Sequence, residues 1–223
     1  MLKLLEEKER RQKRNRLKTF FPDTGPCRRE LYGKHLDFFG SGTDYRERLF
    51  LAANRVGKTV VGAYEMTLHL TGLYPEWWEG RRFDHPISAW AAGDTNETTR
   101  DIIQGELLGP PEDMGTGMIP GDLLVDTTRR SGVPDAVQSV AVKYCSGGTS
   151  FLGLKSYDQK RKSFQGTAKH VIWLDEEPPV DVYSECLLRT MTTDGMIMLT
   201  FTPLLGISDV VKAFLPNGKM PDT

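Results

Sequence analysis

A chain of 223 residues with 39% hydrophobic and 26% charged residues holds enough apolar material for a sizeable core and is globular rather than disordered in composition. Its 29 basic and 30 acidic residues leave a formal net charge of −1, so any nucleic-acid contact has to come from a local patch rather than a global field. No apolar run approaches the length of a membrane span and the N-terminus lacks a signal-peptide core, which makes a cytosolic protein with no membrane association the expectation.

The first 20 residues hold eight Lys/Arg and three Glu, about +5, leaving about −6 for the remainder. With Leu2, Leu4, Leu5 and Leu17, residues 3–18 predict a frayed, charge-dense helix, either a solvated arm or a partner- or DNA-contacting extension. Residues 21–26 break it with Pro and Gly. A short helix is expected over 32–39, then a turn at 41–44 leading into a strand over 46–53. Residues 60–70 are apolar around most of a helical circumference, as in a helix packed on a sheet, and Gly72 is a C-terminal stop. In the loop 72–86, Trp77 and Trp78 are expected to pack beneath the loop rather than stack on bases. Residues 87–92 read as a second buried strand, and Asp94, Thr95 and Asn96 as N-cap residues of a helix to about Leu108.

Residues 110–135 contain four Pro and four Gly and are expected to be irregular and the most mobile stretch. Segments 137–145 and 150–156 flank Ser146-Gly-Gly-Thr149, a hairpin signal. Strands over 170–174 and 196–201 alternate with helices over 182–190 and 208–215. This alternation predicts an α/β fold with a mostly parallel central sheet flanked by helices and right-handed crossovers. Cys27, Cys145 and Cys186 are widely spaced and read as reduced, half-buried thiols. The four histidines show no paired metal-ligand spacing, which argues against zinc.

Two motifs carry chemistry. Leu49-Phe-Leu-Ala-Ala-Asn54-Arg55-Val56-Gly57-Lys58-Thr59 has the strand, small-residue loop and helix start of a phosphate-binding P-loop. Loop N–H groups and the helix N-terminus would cradle a phosphate, Lys58 would reach the β/γ-phosphates of ATP, and Thr59 would place its hydroxyl on Mg²⁺. One departure is that Ala52 stands where the pattern has its first Gly. Val171-Ile-Trp-Leu-Asp175-Glu176-Glu177 is a buried strand ending in carboxylates. Asp175 there can hold Mg²⁺, and Glu176 can accept a proton from an attacking water, with Glu177 as the alternative base. Thr202, after the strand over 196–201, can place a hydroxyl near the γ-phosphate. Because P-loop and carboxylate strand have to meet one Mg²⁺–nucleotide, their strands are expected to be neighbours.

The set Asn54-Arg55-Val56-Gly57-Lys58-Thr59, Trp90-Ala-Ala-Gly-Asp94, Trp173-Leu-Asp-Glu-Glu-Pro178 and Phe201-Thr-Pro203 resembles the tailed-bacteriophage terminase large subunit, over about residues 30–210. The resemblance implies a P-loop NTPase of the ASCE/RecA-like class that drives double-stranded DNA into a procapsid in the host cytoplasm. It implies that Arg55 senses or stabilises the γ-phosphate, that Thr202 couples hydrolysis to movement, and that Tyr32 and Lys34 are candidates for the adenine pocket. It also implies a portal, a small terminase subunit and a homo-oligomeric ring in which a neighbour donates an arginine; Arg100, Arg129, Arg130 and Arg161 are all open for that role. Under this reading 1–25 is a charged extension, 26–215 the ATPase domain, and 216–223 a tail or the start of a linker. The 21 residues after Thr202 carry only Asp209 and Asp222 as acids, too few for a two-metal nuclease site. ATP hydrolysis without DNA cleavage, by a monomer in isolation, is the expectation. The alternatives are one motor lobe of a helicase-type translocase and a nucleotide-binding scaffold with a degenerate P-loop.

Overall fold

Seven strands make one sheet: β1 (Glu47–Leu51), β2 (Ser88–Gly93), β3 (Leu124–Arg129), β4 (Val137–Lys143), β5 (Thr149–Ser156), β6 (Val171–Asp175) and β7 (Met196–Phe201). Their spatial order is β1-β7-β6-β2-β5-β4-β3. The computed structural model describes residues 15–204 and 206–215. The reading of 1–14 as part of a frayed helix, and of 216–223 as tail or linker, falls outside those residues. Strands β1, β7, β6, β2 and β5 pair in parallel, and β4 and β3 extend the sheet antiparallel, so the predicted α/β class with a mostly parallel sheet is observed.

The strands that are apolar on both faces, β7, β6 and β2, lie side by side in the interior of the sheet, as continuous hydrophobic runs require. Every residue of β6 and of β7 is buried. Along β6, Val171 and Trp173 enter one core, while Ile172 and Leu174 enter the core on the opposite face. The first core lies under helix α3 (Lys58–Thr71), and the second under α5 (Val180–Thr190) and α6 (Asp209–Ala213). Short helices α1 (Arg16–Thr19) and α2 (Gly33–Gly40) precede β1. Between β2 and β5 a helical stretch, α4, runs over 96–108 with a π-helical middle turn at Thr99–Gln104. Thr95 caps it with its side chain, as the sequence predicts.

Three expectations are corrected. Strands β1 and β6 are not neighbours: β7 lies between them, with Leu49 paired to Leu199 and Asp175 to Thr200. β7 is apolar on both faces and therefore takes an interior place between β1 and β6, while parallel pairing still brings the C-terminal ends of β1, β7 and β6 to one edge. Residues 110–135 are not irregular throughout, because 124–129 form β3 and Met118 and Ile119 are fully buried. As a mostly exposed edge strand, β3 lacks the alternation that would mark it in sequence. The thiols are not half-buried: Cys186 is buried, and Cys27 and Cys145 are exposed.

Gly57 and Gly72 bound α3 with φ of 83° and 71°, the left-handed region that glycine enters without strain. Twelve of its fourteen residues are buried, between the sheet and an aromatic layer in which Tyr64 stacks on Trp77 at 6.2 Å and Phe39 meets Trp78 at 4.9 Å. The two tryptophans thus pack under their loop as expected. β1 is tied to α3 by a buried ion pair. Arg48 Nη2 is 2.6 Å from Glu65 Oε1, and Arg48 Nη1 is 3.2 Å from Oε2 and 2.7 Å from the Phe38 carbonyl. Burial alone would push the Glu65 carboxyl up, but the Arg48 guanidinium and His69 outweigh it and hold it below its ordinary value. Glu65→Gln should therefore cost roughly 3–5 kcal/mol in urea unfolding, the loss found on breaking a buried pair. A loss of about 0–1 kcal/mol, that of a surface pair, contradicts the assignment.

Candidate functional site

Past the end of β1 the chain curls back at Arg55 (φ 65°) and Gly57 (φ 83°) before α3 begins at Lys58. Ala52 stands outside the left-handed region, so the absence of glycine there costs no backbone strain. The first N–H groups of α3 have no carbonyl one turn back, and the first helical bond of this junction runs from Val61 N–H to Gly57 O at 2.9 Å. Free donors at a helix N-terminus form an anion-binding end.

Lys58 leads back into that loop. Its ammonium donates to Ala53 O at 2.7 Å and to Thr202 Oγ1 at 2.8 Å. Thr202, one residue past β7, has a single proton to give, between Ala52 O at 2.9 Å and Asn54 Oδ1 at 2.8 Å. Thr59 Oγ1 lies 3.0 Å from Asp175 Oδ2 and 3.3 Å from Oδ1. On its other side Asp175 Oδ1 accepts from Thr200 Oγ1 at 2.6 Å, and Thr200 accepts from Trp173 Nε1–H at 2.7 Å. Asp175 is only 3% exposed. Burial pushes its carboxyl up to about 7 against the pull of Thr200, Thr59 and Lys58.

Glu176 follows with φ 67°, a conformation that a non-glycine residue keeps only when its surroundings impose it. Its N–H donates to Thr200 O at 3.1 Å, and its carbonyl lies 3.0 Å from the buried Tyr157 hydroxyl. Partial burial raises its carboxyl, opposed by Lys58. Glu176, not Glu177, lines a cleft of about 470 Å³ with Asn54, Arg55, Lys58, Thr59 and Asp101 of the π-helical turn.

A second, more apolar cleft of about 740 Å³ opens on the other side of the loop and is lined by Tyr32, Lys34, His35, Arg55, Val56 and Gly57 among others. Tyr32 stacks on His35 at 5.4 Å and 20°, and His35 Nε2 is 3.1 Å from Val56 O. Burial lowers the His35 pKa and favours the neutral ring. His35 was missed by sequence reasoning; its spacing of three from Tyr32 on a predicted helix was the available signal. Lys34 lies on the rim, exposed, with its ammonium 3.7 Å from Asp37. The arginines considered for donation to a neighbour are engaged elsewhere: Arg100 with Asp101, Arg129 with Asp135, Arg130 with Leu154 O, and Arg161 with Glu185.

The donor set therefore contains an ammonium, free N–H groups, and hydroxyl and carboxylate oxygens. It fits a phosphate chain and a hard, oxygen-seeking divalent cation. A buried carboxylate that is costly to ionise alone fits a cation site, because a bound cation inverts the local electrostatics.

Residues 49–221 match the family described as terminase large subunit, T4likevirus-type, N-terminal. The chain belongs to the terminase large-subunit family. It is 37% identical over 237 residues to the terminase large subunit of Salmonella phage P22, covering 97% of this chain and 46% of that protein. The terminase chain thus spans about half the length of that curated relative. Among solved structures it is similar to the Thermus phage P74-26 large terminase ATPase domain, with a TM-score of 0.57 and 15% identity over 81% of this chain and 67% of that one. The large terminase of the thermophilic bacteriophage D6E gives a TM-score of 0.51 at 12% identity, over 91% and 48% of the two chains. These neighbours share the P-loop, RecA-like fold.

The raised carboxyl of Asp175 has a consequence for the terminase chain without metal. Its folded pKa of about 7 lies above the ordinary 3.8, so the folded state binds more protons between those values. Stability should then fall as pH rises through that window. Asp175→Asn removes the buried charge and should be more stable than wild type at pH 8 in chelator, the difference fading toward pH 4. A pH-independent difference in urea midpoint contradicts this.

Proposed function

We propose that this terminase segment is an ATP-hydrolysing motor that couples hydrolysis to the translocation of double-stranded DNA into a procapsid. The observation that carries the reading is a pair of hydrogen-bonded contacts from adjacent residues of one helix start, Lys58 to Thr202 and Thr59 to Asp175, with Glu176 lining the same cleft as Lys58 and Thr59. In this reading the loop from Asn54 to Gly57 cradles the phosphates with backbone N–H groups, and Lys58 neutralises the β/γ-phosphates. Thr59 and Asp175 would hold Mg²⁺, which when bound draws charge from the phosphate oxygens. Glu176 takes the proton of the attacking water, and a carboxyl raised by partial burial is a better base near neutral pH. Arg55, on the loop between the two clefts, is suited to reach the γ-phosphate. The apolar cleft beside Tyr32 and His35 suits an adenine base, with Lys34 at its edge.

Thr202 bonds to Lys58 and sits at the end of β7, so loss of the phosphate that Lys58 holds would be felt directly by a central strand. That is the coupling role proposed for it. Membership in the family supports the remaining parts of the reading: a portal and procapsid, a small terminase subunit, a homo-oligomeric ring built from a chain that is monomeric alone, and action in the host cytoplasm. Among the described residues no helix is long and apolar enough to cross a membrane. Hydrolysis of the nucleotide, not of DNA, is the chemistry proposed for this segment.

Two substitutions separate base from binding group. Glu176→Gln keeps shape and should bind ATP like the wild type while hydrolysing it about 10²–10⁴-fold more slowly. Lys58→Ala should instead weaken nucleotide binding itself. Wild-type turnover in Glu176→Gln moves the role of base to Glu177 and refutes the assignment.

A further inference from the structure

Behind Asp175 runs a buried chain of hydrogen bonds that touches neither cleft. We propose that Trp173 and Thr200 are positioning residues for the cation site, holding the Asp175 carboxylate in a single orientation. This inference rests on the nucleotide-hydrolysis reading above.

The direction of the chain is fixed by what each group can do. An indole N–H donates and cannot accept. Trp173 Nε1 therefore donates to Thr200 Oγ1 at 2.7 Å. A threonine hydroxyl has one proton, and with the indole on one lone pair its proton goes to Asp175 Oδ1, 2.6 Å away. Trp173, Thr200 and Asp175 are 0%, 1% and 3% exposed, so they are shielded from competing solvent. Asp175 Oδ1 is thereby anchored from behind, and Oδ2 faces Thr59 Oγ1 at 3.0 Å, the hydroxyl proposed for the same cation. The pairing of Asp175 with Thr200 across the parallel strands β6 and β7 sets these groups side by side.

The P-loop helix closes the arrangement. A Cβ on Gly62 would lie 2.3 Å from Trp173 Cε2 and 2.4 Å from Nε1. Only glycine lets the donating edge of the indole rest on the α3 backbone, despite the entropic cost of glycine inside a helix. Three residues earlier, the same helix carries Thr59. The orientation of Asp175 is thus fixed by Thr59 in front and by Trp173, seated on Gly62 and acting through Thr200, behind. Groups that orient a metal ligand from outside the coordination sphere affect metal affinity as well as activity.

The test is equilibrium binding of a fluorescent, non-hydrolysable ATP analogue to the whole chain, once in Mg²⁺ and once in chelator, with urea unfolding of each variant alongside. The ratio of the two affinities isolates the contribution of the cation. Thr200→Val should leave affinity in chelator near wild type and cut the Mg²⁺-dependent gain by about 10–100-fold. Thr200→Ser, which keeps the hydroxyl, should restore the gain. The double variant Trp173→Phe, Thr200→Val removes the indole N–H orphaned by Thr200→Val, which separates loss of the hydroxyl from the cost of an unpaired buried donor. Its Mg²⁺-dependent gain should stay low. A wild-type gain in Thr200→Val, or a gain that returns with stability in the double variant, reduces both residues to packing and overturns the proposal. A wild-type chain that shows no Mg²⁺-dependent gain overturns the cation reading itself, which is a different outcome from failure of the positioning residues.

Discussion

The arrangement depends on hydrogen bonds that tie the start of one helix to the ends of two strands. Lys58 bonds to Thr202 beyond β7, and Thr59 bonds to Asp175 at the end of β6. Both side chains come from the first turn of α3, whose entry is set by the left-handed turn at Gly57. A helix N-terminus that already presents free N–H groups is thus given an ammonium, a hydroxyl and a carboxylate within a few ångströms. The parallel sheet makes this possible, because parallel strands deliver all their C-terminal ends to one edge, where ligands of open α/β sheets bind.

The same bonds connect the site to the core. Asp175 ends one wholly buried strand and Thr202 follows another, and neither can shift far without disturbing the packing around Trp173 or Phe201. On the other side, Arg48 and Glu65 lock the P-loop strand to the P-loop helix, so the loop is fixed at both ends by polar bonds sealed from water. Glu176 holds a left-handed backbone, bonded to Thr200 O and Tyr157. Strain of this kind persists where the surroundings over-determine it, and here they aim a carboxylate into the cleft.

Sequence and structure agree wherever local chemistry was decisive. The strand, loop and helix around Gly57-Lys58-Thr59 have bounds within two residues of expectation, because glycine at a left-handed position and an apolar helix leave few alternatives. The convergence of Lys58, Thr59, Asp175 and Thr202 also follows from motif order alone. Strand order does not. Whether β7 or β6 lies beside β1 depends on long-range packing that periodicity does not encode, and the interposed strand was missed. β3 was missed because an exposed edge strand rich in Asp and Thr carries no burial pattern. His35 and Tyr157 escaped notice for another reason. The Tyr157 hydroxyl touches a main-chain carbonyl, a role without a residue signature, and His35 offered only its spacing of three from Tyr32.

Steady-state phosphate release by the purified chain, with and without double-stranded DNA, decides whether the segment is a cation-dependent, DNA-stimulated ATPase. The expected result is ATP-dependent release that requires a divalent cation, is abolished by chelator, and rises when DNA is added. A chain that neither binds nor hydrolyses ATP under these conditions would contradict the motor assignment and leave the P-loop as a structural relic. Hydrolysis that persists in chelator would contradict the assignment of Thr59 and Asp175 to a cation.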